Sequence, residues 1–300
     1  NLTSLSASAS GADLTIAGGA NGVTLTTAIT AGAAGAYGDV TFTGSGALTH
    51  AALTANVVTY DASAMTGAVT MSDVISGNVT TIKTGSANDT VLAGAVTATA
   101  INTGAGNDTV QLFNDYGTKT VTLDGGAGTD TLSFVTGTKL SDLTASSTVT
   151  GFENLKLFAT GTAQEIDADL LNDATYNVSA SASGANATVT VVIGTADTDI
   201  SLAALVESTN VANTVAGMTF VADASANSAA IAYTGADAAI NTITGSASAG
   251  DTLTGGAYAD NFVVTSDGLL FNANNVMLDT IAGGASAANT YDVLTVGTTG

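Results

Sequence analysis

The sequence predicts an almost all-β, elongated chain. Segments resembling a β-roll or parallel β-helix alternate in it with β-rich, sandwich-like modules. Three observations predict this. Strand signals run the whole length: "VTFTG", "AVTMS", "TVTLDG", "TVTVVIG" and "FVVTS" alternate polar and apolar residues and are rich in Val, Thr and Ile. Clusters of Gly, Asn, Asp and Ser separate them, which is turn chemistry. The interior must also be thin. Seven Tyr and eight Phe, with no Trp, supply the large side chains of 300 residues. Ala, Gly, Ser and Thr make up more than half of the chain. Such small residues fill stacked β-layers better than a thick globular interior.

Along the chain, 1–60 reads as a β-rich lead-in. Residues 61–150 hold a first array of glycine- and aspartate-rich turns. Residues 151–221 form a β-rich intermediate module whose turns lack glycine pairs, and 222–300 hold a second array. Helical signals are confined to two short stretches, near Glu165–Asp173 and Leu202–Glu207. The arrays are related. "YDASAMTGAV" from Tyr60 matches "ADASANSAAI" from Ala222, so that Asp61 pairs with Asp223. Thr84-Gly85-Ser86 pairs with Thr244-Gly245-Ser246, at an offset of about 160 residues. The chain begins on asparagine and stops in mid-pattern, which reads as an excerpt or a processed product.

Charge narrows the function classes. The net charge is −21, with four lysines, no arginine and 25 acidic residues, of which only Glu153, Glu165 and Glu207 are glutamate. A solubilising surface mixes both signs. Aspartate placed in turns, with few cationic side chains, points to bound metal cations. Nucleic acid is not an expected partner, because no basic patch exists to neutralise phosphates. Without cysteine there is no disulfide and no thiolate metal site. No apolar run reaches the ~20 residues that span a bilayer.

The chemistry sits in one recurring motif. Gly125-Gly126-Ala127-Gly128-Thr129-Asp130-Thr131-Leu132 fills every key position of the nonapeptide G-G-x-G-x-D-x-U-x. Partial copies centre on Gly85, Ala87 and Asp89, and on Gly104, Gly106 and Asp108. Later copies end at Asp251, run from Gly255 through Gly256 to Asp260, and span Gly283-Gly284 to Asp292 with an insertion. Calcium wants six to eight hard oxygens. Glycines let successive carbonyls turn toward one point, the aspartate adds charge, and the apolar residue two places on opens a strand into the core. Those apolar residues are Val91, Val110, Leu132, Leu253, Phe262 and Leu294.

Spacing places the aspartates. Nine residues make a loop and a short strand, and two such units make one coil. Asp89, Asp108 and Asp130 are therefore expected in one column, with "NDYG" at 114–117 as an inserted turn. Asp251 and Asp260, nine apart, are expected on opposite sides. Asp260 and Asp292 are too far apart for regular stacking without a bulge. Carboxylates ~5 Å apart repel by roughly 3 kcal/mol at an effective dielectric near 20, so stacked loops require something between them.

At these residues the chain resembles RTX proteins, and more narrowly the RTX-type surface-layer proteins and large repetitive exoproteins of Gram-negative bacteria. The copies cover roughly 84–132 and 244–294, with "DASAMTGAVT" and "VTGFENLKLF" as weaker, connecting-type segments. The resemblance implies several structural Ca2+ ions, with Asp89, Asp108, Asp130, Asp251, Asp260 and Asp292 as the calcium aspartates. It also implies type I secretion, folding outside the cell and a place on the bacterial surface. Ala87, Tyr258 and the insertions depart from the glycine pattern. The expected function is a structural surface-layer protein with calcium as glue. Its expected partners are copies of itself in a lattice, and a cell-surface polysaccharide held through a region outside this chain. An RTX-type adhesin or other exoprotein is the alternative. An enzyme is not expected: the one histidine, His50, lies in "ALTHAAL" with no G-x-S-x-G elbow, and H-E-x-x-H is absent. Glu165, Asp167 and Asp169 fit a helix start better than a carboxylate pair for sugar chemistry.

Overall fold

The computed structural model describes the chain outside residues 1–4, 8–12, 27, 34–35, 52, 54–55, 75–77, 95–99, 114, 117–118, 136–137, 142–145, 159–162, 181–186, 208–217, 238, 285–290 and 298–300. It is nearly all β, with parallel sheets wound as a β-solenoid. Two compact units divide it. The first comprises Asn1–Thr138 with Leu143–Leu155, and the second Lys139–Asp142 with Lys156–Gly300.

In the first unit the chain steps between two sheets. One runs in the order Leu5–Ala7, Ile29–Ala33, Ala36–Gly44, Val57–Met65, Thr81–Lys83, Ala100–Asn102, Thr122–Asp124 and Thr148–Thr150, with Leu14–Gly18 also paired to Ala36–Gly44. The other includes Val23–Leu25, Leu48–His50, Val69–Met71, Thr90–Gly94, Thr109–Phe113 and Thr131–Phe134. Period-two alternation sets the register. Val91, Val110 and Leu132 stack in one fully buried column, and Tyr60, Ile82, Ile101 and Leu123 in another. Thr70, Thr90, Thr109 and Thr131 stack on the outward side. A slip of one residue would drive these threonines into the core, so the register is strongly specified.

The second unit repeats this plan. Lys139–Leu140, Gln164–Asp167, Thr188–Val192, Thr219–Asp223, Ile240–Thr244, Asn261–Val264 and Val293–Val296 form one sheet. Asp199–Ser201, Ala232–Thr234, Thr252–Thr254 and Thr280–Ala282 form another. Ile166, Val191, Ala222, Ile243 and Phe262 make its interior column.

Strands between 151 and 221 also pair in parallel, so this stretch coils like its neighbours instead of forming a sandwich. Alternation alone does not separate the two, since both bury one face of each strand. The internal repeat is visible in detail. Asp61 Oδ1 accepts from Ser63 N, and Asp223 Oδ1 accepts from Ser225 N, both at 2.9 Å, over the buried Ala62 and Ala224.

Helix is rarer than expected in one place and present in another. Ala168–Leu171 is helical, capped by Asp167 Oδ1 accepting from Asp169 N at 2.9 Å. Leu202–Glu207 is instead a turn closed by Leu205 N donating to Leu202 O, followed by the strand Val206–Glu207. A helix at Asp267–Leu270 was not signalled by periodicity; it lies in the long excursion between Val264 and Thr280. His50 is buried in the first unit, stacked on Phe42 with ring centroids 5.9 Å apart. Its Nε2 lies 3.0 Å from the Tyr60 hydroxyl. Burial lowers its pKa to about 4, so the ring is neutral.

Candidate metal centre

Successive coils of a parallel sheet lie ~4.8 Å apart, so identical residues at a corner must touch. In the first array Asp89, Asp108 and Asp130 do stack, and each is at most 2 % exposed. Backbone N–H groups lie between their carboxylates. Asp89 Oδ1 accepts from Val69 N, Asp108 Oδ1 from Asp89 N, and Asp130 Oδ1 from Asp108 N, each at 2.7 Å. Glu153 Oε2 ends the ladder by accepting from Asp130 N at 2.7 Å. Each rung therefore fixes the coil before it through a charge-assisted bond. Asn88 and Asn107 reach the other way, accepting from Asn107 N and Thr129 N.

The second oxygens differ. Asp89 Oδ2 accepts from Gly85 N at 3.0 Å. Asp108 Oδ2 and Asp130 Oδ2 are buried and have no hydrogen-bond partner. The Thr103 hydroxyl lies beside Asp108, but its one proton goes to Gly125 O at 2.8 Å. Burial pushes the Asp108 carboxyl up to about 6, and the charges of Asp89 and Asp130 add to this. Burial also raises Asp89 and Asp130.

The glycines have two separate tasks. Gly126, at φ +86°, lies so close to Gly104 O of the preceding loop that a Cβ would collide with it; Gly128 meets Gly106 O in the same way. The loops can then bond directly. Ala105 N donates to Gly85 O and Ala127 N to Gly104 O, each at 2.9 Å, and Gly106 N donates to Ala127 O at 2.8 Å. Several loop carbonyls are thus already paired with N–H groups, each keeping a second lone pair. The other glycine of each pair makes room for the carboxylate. A Cβ on Gly255 would strike Asp260 Oδ2, and one on Gly283 would strike Asp292 Oδ2.

The second array splits into two columns. Asp260 Oδ1 accepts from Asn241 N at 2.7 Å, and Asp292 Oδ1 accepts from Asp260 N at 2.9 Å. The 32-residue step closes despite its length, because the extra residues leave at the corners. Asp251 lies on the other sheet's corner. Its Oδ1 accepts from Ile231 N, and its own N–H donates to Asp279 Oδ1 at 2.9 Å. Asp279, 2 % exposed and with an unpartnered Oδ2, does not fit the nonapeptide because no glycine stands in the turn before it, residues 271–278. The shorter signal Asp-Thr-aliphatic, shared by Asp89, Asp108, Asp130, Asp251 and Asp279, finds it. Asn241, in Asn-Thr-Ile, holds the same place.

Five of the six apolar residues after the aspartates are buried, but Leu294 is 45 % exposed, since its strand ends the sheet. Of the inserted turn at 114–117, Asn114 and Gly117 lie outside the described residues; Tyr116 is buried and donates to Ala93 O at 3.0 Å.

Calcium suits the donor set at Asp108 and Asp130. Two buried orphan carboxylate oxygens belong to loops that also carry the carbonyl oxygens of Gly104, Gly106, Gly126 and Gly128, which are hard donors. Among the described residues no three His, Cys, Asp or Glu side chains gather as a metal cluster. No family model, curated protein or solved structure matches the chain.

Proposed function

We propose that this is a calcium-stabilised structural protein of a bacterial surface layer, secreted and assembled from copies of itself. The observation that carries the reading is the pair of buried, unpartnered oxygens on Asp108 and Asp130, stacked in glycine corners of a solenoid with net charge −21. An orphan carboxylate oxygen in a buried site costs ~1–3 kcal/mol or more, and a bound cation removes that cost. Calcium would be held by Asp108, Asp130 and neighbouring loop carbonyls, joining one coil to the next.

Self-assembly has its own support. Among the described residues outside the last strand, the large exposed apolar side chains are Val206, Phe271, Val276, Met277, Leu278 and Tyr291, four of them in the one excursion from Phe271 to Leu278. Apolar side chains concentrated in this way mark contact surfaces.

The test is circular dichroism with parallel negative-stain electron microscopy, calcium being titrated against a chelated control. Extracellular calcium modules respond at ~10⁻⁴–10⁻³ M. A gain of β-signal in that range together with ordered sheets supports the proposal. Calcium-dependent folding without sheets favours an RTX-type adhesin or other exoprotein. No response to calcium rejects the metal.

A further inference from the structure

The coils of the second array meet the same corner problem with different atoms. Asn241 is fully buried where other coils carry aspartate, and every polar atom of its side chain is used. Its Oδ1 accepts from Ala236 N at 2.9 Å. Its Nδ2 lies 3.1 Å from Ala236 O, 3.2 Å from Ala239 O and 2.9 Å from Asp260 Oδ1. Asp260 is fully partnered in turn, because Gly256 N donates to its Oδ2 at 2.6 Å. Asp251 is satisfied likewise: Ser246 N donates to Oδ2, and the Ser246 hydroxyl and Ile231 N donate to Oδ1.

We infer that Asn241 and Ser246 replace the cation at their own rungs of the second array, so that the coils through Asn241, Asp251 and Asp260 hold together without calcium while the Asp108–Asp130 step does not; Asp279, with its orphan Oδ2, stands outside this set. The chemistry is direct. A metal ion between rungs gathers oxygens from both coils. The Asn241 amide does this with two N–H bonds, bridging two carbonyls of its own turn and the carboxylate of the next coil. The neutral amide also removes one charge from the column, so Asp260 has no carboxylate facing it from the coil before. The chain would thus contain a preformed, calcium-independent segment beside a calcium-dependent one. This inference rests on the calcium reading above and extends it.

The experiment is hydrogen–deuterium exchange of the whole chain in calcium and in EGTA, followed by strand. In EGTA the amides of Thr109–Phe113 and Thr131–Phe134 should lose protection by about tenfold or more, as befits an uncompensated buried carboxylate. Those of Ile240–Thr244 and Asn261–Val264 should hold. The variant Asn241→Asp should make the latter two strands sensitive to EGTA and restore them on adding calcium. The variant Asp108→Asn, which leaves the second unit untouched, should make the first pair less sensitive. If wild-type Asn261–Val264 opens in EGTA together with Thr131–Phe134, the inference is wrong and the calcium reading stands. If neither pair responds to EGTA, the calcium reading fails and takes the inference with it.

Discussion

The two arrays solve one problem in two ways. In the first, three aspartates stack at steps of 19 and 22 residues, and backbone N–H groups are almost their only donors. Two of the three keep an orphan oxygen. In the second, the stack is divided between two corners, and at two rungs side chains take up the slack, Asn241 on Asp260 and Ser246 on Asp251, while Asp279 keeps an orphan oxygen. The glycines differ as well. Gly104, Gly106, Gly126 and Gly128 all have positive φ in the first array, whereas in the second only Gly250 and Gly284 do. A glycine-lined corner packs loop on loop and leaves carboxylate oxygens for an ion. A corner with an amide or hydroxyl completes itself.

The largest contrast should come from backbone crowding. Gly126→Ala combines positive φ with a collision against Gly104 O, and should cost about 3 kcal/mol. Gly250→Ala has positive φ but only ordinary contact with Ala230, and should cost about 1 kcal/mol. Urea denaturation in calcium measures both; equal losses would mean that loop stacking is not what the first array's glycines provide.

A smaller single loss is expected among the aspartates in chelator. Asp260→Asn sets an amide against Gly256 N or Asn241 Nδ2, donor facing donor, and should lower stability by about 2 kcal/mol. Asp108→Asn keeps an acceptor for Asp89 N and removes a buried charge, so its urea midpoint should stay level or rise. A fall at Asp108 as large as at Asp260 would break the comparison.

The smallest effect is the pH dependence that Asp108 and His50 bring to the first unit, read as the urea midpoint in EGTA. The folded pKa of Asp108, about 6, lies above its ordinary 3.8, so its contribution is full below about 4 and is lost as pH rises through 6. His50 runs the other way. Its folded pKa, about 4, lies below the ordinary 6.5, so its contribution is full above 6.5 and is lost as pH falls through 4. Asp108→Asn should make the first limb shallower, Asp89 and Asp130 keeping the rest of it, and His50→Gln should flatten the second. Limbs that ignore these substitutions would assign the titration elsewhere.

What could be read in advance follows from where each constraint lies. Strand alternation and corner spacing are local, so parallel coils and the Asp89–Asp108–Asp130 column were legible. The partners of each carboxylate are not local: Asp130 bonds a residue 22 positions earlier, visible only once the coils are stacked. Asp279 and Asn241 carry the Asp/Asn-Thr-aliphatic triplet but not the glycine-rich turn of the nonapeptide, while Asp260 and Asp292 have the glycine pair without the triplet, so neither signal alone marks every rung. Leu294 was assigned to the core because its position in the motif is inward, while its exposure depends on a following coil.

The rungs close over chain lengths of 19, 20, 22, 28 and 32 residues with nearly the same bond. The molecule thus counts turns, not residues. A graft placed in the excursion from Phe271 to Leu278 leaves the Asp260–Asp292 ruler untouched, however long it is. One residue removed between Asp130 and Leu132 instead inverts the faces of the strand Thr131–Phe134. The coil tolerates change in the length of corners such as 271–278, while the carboxylate rungs keep the architecture in step.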